Sequence, residues 1–293
     1  MLVPNSCWSE NLRLLVVLSD TLPAYQSFAN TLKQSLPESV QAIVLENPDE
    51  ISELPLADMV VSVGMKASSL AVSQSRVPVL VVMVPRTSYE HLLEKTSIKD
   101  RAPSISAIYL DQPWERQLNF IQAILPKHVR IGILYSDNTK IDMTLLRKEV
   151  SKRDIKLVTK KVSSEDKLYS ALNELLASSD ILVAVPDNTI YNSNNIRNIL
   201  LSCYRSGIPF VGLSQAYVNA GAIGAVSAFQ QQLAEHIAES IRFFVQSGKL
   251  PRPGYSREFT ISLNPEVARS MGIILPAADT VKSNMHDVSR GEQ

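Results

Sequence analysis

Cysteine is scarce in this chain: of 293 residues only Cys7 and Cys203 carry a thiol. Two thiols, one near the N-terminus and one inside a helical pattern, build neither a disulfide framework nor a zinc set. Their scarcity fits an exported protein without requiring one. An excess of one charge is lacking too, since Lys plus Arg and Asp plus Glu both number 29. With zero formal charge, no long-range field draws the chain to nucleic acid or to an anionic membrane, so nucleic acid is not an expected partner. No stretch reaches the roughly 18 apolar residues that a membrane-spanning helix requires. Met1 to Glu10 has no basic segment followed by an apolar run, so the expectation is a cytoplasmic chain or one whose signal peptide has been removed. Reactive constellations are missing as well. His91, His128, His236 and His286 fall at spacings that make no HExxH or paired metal motif, and each reads as a surface residue. No GxSxG elbow, P-loop or GxGxxG follows a strand, and AGAIGA at 220–225 lacks the third glycine. No catalytic residue, metal or cofactor is therefore expected.

What is present is a folded, two-domain composition. Hydrophobic residues make up 45% and charged residues 20%, and the length exceeds what one core usually serves. Short β-rich runs alternate with amphipathic stretches, the pattern of crossover units feeding parallel sheets, so the expected fold class is α/β with two doubly wound lobes. The first lobe reads as about five strands: 12–18, 40–45, 59–63, 79–84 and 105–110, with a helix from about Pro23 to Leu36. The run VLVVMV at 79–84 suits a strand covered on both faces. A helix carrying Trp114, Leu118, Ile121 and Leu125 on one face then stops at Pro126. Strands at 130–135, 157–162, 181–185 and 209–213 follow, interleaved with helices near 143–153, 165–177 and 195–205. No sequence repeat relates the two sets. Beyond 214 come a small-residue run, 220–228, and a long helix with Phe229, Leu233, Ile237, Ile241 and Phe244 on one face, ended by Gly248 and Pro251. A last strand is expected at 258–263, and the polar tail after Ala277 reads as frayed.

In open parallel sheets ligands sit beyond the carboxyl ends of the strands, where helix N-termini present free N–H groups. Those ends carry Ser19, Asp20, Gly64, Met65, Lys66, Pro85 and Arg86 in the first lobe. In the second they carry Tyr135, Ser136, Asp137, Asn138, Asp187, Asn188, Thr189, Ser214, Gln215 and Tyr217. These are the candidate ligand-binding residues. Tyr89, Tyr135, Tyr191 and Tyr217 have the chemistry to wall an aromatic ligand, but an ordinary packing role is the first expectation for each.

Three late stretches, IPFVGLSQAYVNAGAIGAVSAF, SGKLPRP and FTISLNPEVARSMGIILP, together resemble the ABC-transporter substrate-binding family typified by tryptophan- and tyrosine-type uptake proteins. LPKHVRIGILYSDNT, ALNELLASSDILVAVPDNTI and SRVPVLVVMVP fit the same frame, so the resemblance spans roughly residues 12–276. Its most specific piece is the closing phrase, with Asn264, Ala268, Gly272, Ile273 and Pro276 in the family's spacing.

The resemblance implies a type I periplasmic-binding-protein fold with three crossings between lobes, placed near 110–112, 214–216 and 248–251. Lobe 1 is then 1–110 plus about 216–249, lobe 2 is 111–215 plus about 250–280, and 281–293 is a polar tail. It implies further a monomer in the periplasm or cell envelope, with its signal removed, that closes around a small molecule such as an amino acid and hands it to a membrane permease. The family has an acidic residue where Asp187 stands, which implies pairing with a ligand amine; capping of the following turn is the alternative for Asp187 and for Ser136 to Asn138. A ligand carboxylate would sit on the amides after Gly64, helped by Lys66 or Arg86. Here the chain departs from the family, which more often has small hydroxyl residues after that glycine and Asp-Pro where Val84 and Pro85 stand. A sensory protein that reports ligand to a membrane receptor without transport is the main rival. A repressor's sensing half would begin with a helix-turn-helix, whereas the first strand is expected by Leu12.

Overall fold

A computed structural model describes residues 12–50, 52–95, 105–125, 129–139 and 141–290. Cys7 and His128 lie outside them. The chain runs β1 (Leu12–Leu18), α1 (Pro23–Ser35), β2 (Val40–Leu45), β3 (Met59–Val63), α2 (Met65–Gln74), β4 (Val79–Val84), α3 (Arg86–Lys95) and β5 (Ile105–Tyr109). Next come α4 (Trp114–Ile124), β6 (Val129–Tyr135), α5 (Met143–Ser151), β7 (Ile155–Lys161), α6 (Leu168–Leu176), β8 (Ile181–Val183), α7 (Ile196–Arg205), β9 (Phe210–Gly212), α8 (Gln215–Ala220) and β10 (Gly224–Ser227). The chain ends with α9 (Gln230–Ser247), β11 (Gly254–Tyr255), β12 (Thr260–Leu263), α10 (Pro265–Ser270) and α11 (Ala278–Arg290).

Two compact units result, residues 1–111 with 228–259 and residues 112–227 with 260–293. Each holds a six-stranded sheet. The order is β2-β1-β3-β4-β5-β11 in the first and β7-β6-β8-β9-β10-β12 in the second. Every pairing is parallel except β10 with β12. Both units therefore share one doubly wound path, 2-1-3-4-5 plus a late strand, although no sequence repeat signals it.

Period-two side-chain alternation explains the first unit's two cores. Leu12, Leu14, Val16 and Leu18 of β1 point to one face, where Phe28 and Leu32 of α1 meet Ile237, Ile241 and Phe244 of α9. Leu15 and Val17 point to the other, where Ala67 and Ala71 of α2 and Tyr89 and Leu92 of α3 close over them. Two-sided cover is why the strands read as continuous apolar runs. Both units also carry the same clasp at the amino edge. Asp58, just before β3, accepts the Arg13 amide at 2.9 Å and its guanidinium, and Asp180, just before β8, accepts the Arg130 amide at 2.7 Å and its guanidinium.

Three expectations change. Residues 216–227 belong to the second unit because β10 joins its sheet, and 250–259 to the first because β11 pairs with β5. The second and third crossings thus fall at 227/228 and 259/260. The tail is no frayed end: α11 buries Val281 and Met285 one turn apart, and Asn119 of α4 donates to the Met285 carbonyl at 3.4 Å. The Asn119 side-chain oxygen accepts in turn from Arg153, which also reaches Glu149 and is buried between them. Finally, His236 is half-buried on α9 and not a surface residue.

Two stability outcomes follow. Met285→Ala removes a packed side chain and should cost about 2–4 kcal/mol in urea unfolding; an unchanged midpoint would mean that the last helix contributes nothing. Burial first, then the charge of Arg257, hold the His236 imidazole below its ordinary pKa, against a smaller opposite effect of Glu239. The folded state therefore favours the neutral ring, and the unfolded chain takes up the proton first as pH falls. The contribution of His236 is complete above the ordinary imidazole range, about 6.5, and is lost as pH drops through it toward the lowered folded value. Thermal midpoints of wild type and His236→Gln should diverge in that window, and parallel curves would show that the ring is not held neutral.

Candidate functional site

In the order 2-1-3-4-5 the chain turns opposite ways on leaving the first and third strands, and the crevice between those strand ends is where doubly wound sheets bind ligands. In the first unit this point lies between β1 and β3. The Ser19 amide donates to the Val63 carbonyl at 3.0 Å, and its hydroxyl accepts the Ala67 N–H in the first turn of α2 at 2.9 Å. Gly64 makes the approach possible. Its φ of +85° is a left-handed conformation, and a Cβ there would stand 2.7 Å from the Ser19 hydroxyl and 2.8 Å from that of Tyr25. Asp20 turns inward on its own loop, accepting the Leu22 N–H at 3.0 Å. Met65 stays 40% exposed beside it.

Both candidate cations are already engaged. Lys66 pairs with Asp49, and Arg86 Nε with Glu90 at 2.7 Å. Glu90, and after it the phenol of Tyr255, raise the Arg86 pKa. Tyr255 packs edge-on against Tyr109, whose hydroxyl burial pushes up to about 12. Pro85 and Arg86 follow a bulge: Val82 pairs with Ile108 but Val84 with Tyr109, and the extra residue, Met83, has a φ of +56°. A non-glycine residue in that region stores strain of about 1–3 kcal/mol. The place coincides with the departure from the Asp-Pro pattern.

The second unit's equivalent point lies between β6 and β8, and it is built around a carboxylate. Asp187 is only 5% exposed. Its Oδ2 accepts the Ser136 N–H at 3.0 Å, the Ser136 hydroxyl at 2.7 Å and the Thr139 hydroxyl. Its Oδ1 accepts the N–H groups of Thr189 at 2.9 Å and Ile190 at 3.3 Å. Five donors fill the lone pairs of one carboxylate, so the geometry is that of capping, with none left for a ligand amine. Asn138 reaches the same turn, donating to the Thr189 hydroxyl at 2.8 Å. Asp137 instead points to Lys161 at 2.5 Å, and Tyr135 ends β6 next to it. Asn188 supplies its carbonyl to Asn192 at 3.0 Å.

Ser214 and Gln215 begin α8, where Gln215 bonds Asn219 at 2.8 Å. Tyr217 stacks on Phe210, and its hydroxyl reaches the Tyr191 carbonyl at 3.4 Å. Gly212 must be glycine for this, because a Cβ would overlap that of Tyr217. Tyr89 and Tyr191 are buried packing residues, as ordinary expectation had it.

The structure thus brings the candidates together in two groups, one per unit. Ser19, Gly64 and the start of α2 form the first. Ser136, Asn138, Asp187 and Thr189 form the second, while Asp20, Lys66, Arg86 and Asp137 turn to local partners. Sequence reasoning missed Thr139, although the run SDNT is a turn signature that offers its hydroxyl. It also missed Asp111, which accepts the Arg86 N–H at 2.8 Å and whose carboxyl burial holds above its usual pKa. A separate cavity of about 600 Å³ opens at the amino edge of the first sheet, between Leu54, Pro55, Gln74 and Val77, away from these groups. Among the described residues no three His, Cys, Asp or Glu side chains are grouped to hold a metal ion, and no helix is long and apolar enough to cross a membrane.

Comparison with known proteins gives this arrangement a family. A curated tyrosine-binding protein of Clostridioides difficile (strain R20291) is 22% identical over 174 residues, 57% of this chain. The match spans 50% of that relative's length. A ligand-free, open substrate-binding protein with adhesive properties from Clostridium difficile superposes with a TM-score of 0.73 at 14% identity, over 92% of this chain and 97% of that one. An ABC domain in complex with L-Trp from Streptococcus pneumonia gives 0.65 at 19% identity, over 92% and 98%. These structures share the two-lobed fold that the sequence resemblance implied. The family model described as "ABC transporter substrate binding protein" matches residues 33–284, most of the chain, and the protein belongs to that family.

Proposed function

We propose that this protein is the solute-binding component of an ABC-type uptake system in the periplasm or cell envelope. It acts as a monomer that closes around an amino acid or related compound and presents it to a membrane permease. The observation that carries the proposal is the pairing of loops at both switch points: Ser19 with the start of α2, and Ser136 with Asp187. Each unit thereby holds a preformed polar edge where its sheet geometry directs a ligand.

The residues beside those edges favour a ligand with an apolar side chain. Leu22, Met65, Leu110 and Phe229 lie in the carboxyl-edge loops of the first unit or at the start of α9, and each remains 40–56% exposed. The neighbouring cations are neutralised by Asp49 and Glu90, which argues against a strongly acidic ligand. Tyrosine and L-Trp, which the named relatives bind, have the matching chemistry. In this proposal Asn138 and Thr189 offer amide and hydroxyl groups to the ligand, and Ser136 and Asp187 hold their loops in place. Closure would exclude water and strengthen each of these contacts.

A thermal-shift panel of the amino acids and common sugars tests the proposal. A true ligand at a hundredfold above its Kd should raise the melting temperature by about 5 °C. Mass spectrometry of what copurifies should identify the same compound, and a flat response across the panel would overturn the amino-acid assignment. Asp187→Asn should lower stability by about 2–4 kcal/mol, because charge-assisted bonds are lost from a buried acceptor. It should also weaken binding of the identified ligand at least about tenfold through the loosened 136–139 loop. Unchanged affinity in a folded Asp187→Asn protein would remove that loop from the site.

A further inference from the structure

Three of the candidate binding residues carry a carboxylate: Asp20, Asp137 and Asp187. An α-amino acid brings an ammonium group that needs such an oxygen once water is displaced from it. Asp187 has none to spare, because five donors from its own turn and the loop after β6 already use both of its oxygens. Asp137 is taken by Lys161. Asp20 differs from both. Its Oδ1 accepts the Leu22 N–H at 3.0 Å, a bond that fixes the side chain in a short turn of its own. Its Oδ2 has no hydrogen-bond or ion-pair partner among the described residues, and the residue stands exposed just beyond the end of β1. Lys66, in the loop after β3, is paired with Asp49 and does not neutralise it.

An unused donor stands within reach of that unused acceptor. Tyr25 lies in the first turn of α1, where its N–H donates to the Leu22 carbonyl at 2.9 Å, and its half-buried ring rests on the core that α1 and α9 share. Its hydroxyl comes 2.8 Å from the point that a Gly64 Cβ would occupy, and the Ser19 hydroxyl 2.7 Å from the same point, so glycine at 64 lets both face the crevice between β1 and β3. Among the described residues the Tyr25 hydroxyl has no hydrogen-bond partner, and it is not one of the polar atoms closed off from solvent. Burial first, then the charge of Asp20, raise the phenol above its ordinary pKa. The group therefore keeps its proton at neutral pH and serves as a donor. We infer that Asp20 and Tyr25 hold the two poles of an α-amino acid, the Asp20 Oδ2 accepting its ammonium and the Tyr25 hydroxyl donating to its carboxylate. The inference rests on the binding-protein reading above and deepens it. The first unit then carries the group that distinguishes an amino acid from a sugar or a simple acid, and the saturated Asp187 orders its loops without touching the ligand's amine.

Isothermal titration of dialysed protein compares L-tyrosine, L-tryptophan and any other amino acid that the thermal-shift panel picks out with the deaminated analogue of the same side chain, desaminotyrosine and indolepropionate for the first two. Wild type should bind the amino acid at least about tenfold tighter than its analogue, the range of a charge-assisted bond. In Asp20→Asn the amide oxygen still accepts the Leu22 N–H, so the turn is kept and only the charge goes. That variant should weaken the amino acid at least about tenfold and bring it to within about threefold of its analogue. Tyr25→Phe removes one neutral bond and should weaken the amino acid about three- to tenfold while leaving its preference over the analogue in place. Should Asp20→Asn fail to fold, Asp20→Ser offers the same turn an oxygen and takes its place. An undiminished preference in the folded Asp20 variant would show that the ammonium is held elsewhere and overturn the assignment, with the binding function standing; unchanged affinity in Tyr25→Phe would overturn the phenol's part in it. Capture of a sugar and of no amino acid would overturn the assignment likewise. A flat response to every solute of the panel would remove the binding function itself, and the assignment with it.

Discussion

A carboxylate almost closed off from water is costly unless its oxygens are fully engaged, and the carboxyl edge of the second unit's sheet is organised by that requirement at Asp187. Two of its five donors come from its own turn and three from the loop after β6. The charge thereby joins the two loops to each other. The hydroxyl and amide groups of Ser136, Asn138 and Thr189 are consequently held by short bonds before any ligand arrives. In the first unit the same topological point is joined by a neutral bond, Ser19 to the Ala67 amide. A neutral bond is weaker by roughly half, so the two edges share a design but differ in stiffness.

The equivalence of the two units reaches beyond strand order. Arg13 with Asp58 and Arg130 with Asp180 place one clasp at the amino edge of each sheet, joining the start of the first strand to the residue before the third. The same two strands are joined at the carboxyl edge by the switch-point bonds. Strands β1 and β3, and likewise β6 and β8, are thus tied at both ends. Loops tied in advance are the condition for binding without reorganisation cost.

Legibility in the sequence followed local pattern strength. Strands covered on both faces, such as VLVVMV, announce themselves by unbroken apolar runs, and the strand-end residues followed from them. Strand β10 did not, because GAVS is made of small residues whose extended conformation comes from pairing with β9 and β12. Strand β11 is two residues long and exists only against β5. Missing these two strands moved two crossings and misassigned about a dozen residues to each unit. Helix α11 was hidden because polar residues dominate its sequence, and among its described side chains Val281 and Met285, four residues apart, form the packed side. At the site, the sequence named Asp187 but not how its oxygens are used. Five donors from two loops converge on it only once β6 and β8 lie side by side, and no local spacing encodes that.

The strand that the sequence hid also sets where the chain passes between the units. Ser227 at the end of β10 and Thr260 at the start of β12 are register partners in one antiparallel ladder, so the second and third crossings leave the second unit from a single point. On the first unit's side they part, one entering α9, which packs on α1, and the other coming from β11 at the far edge of the sheet. The first crossing is held at Asp111 by α3 and at Gln112 by α4. One antiparallel ladder of the second unit therefore fixes where two of the three crossings begin, and it is the ladder that the small residues of β10 hid from the sequence.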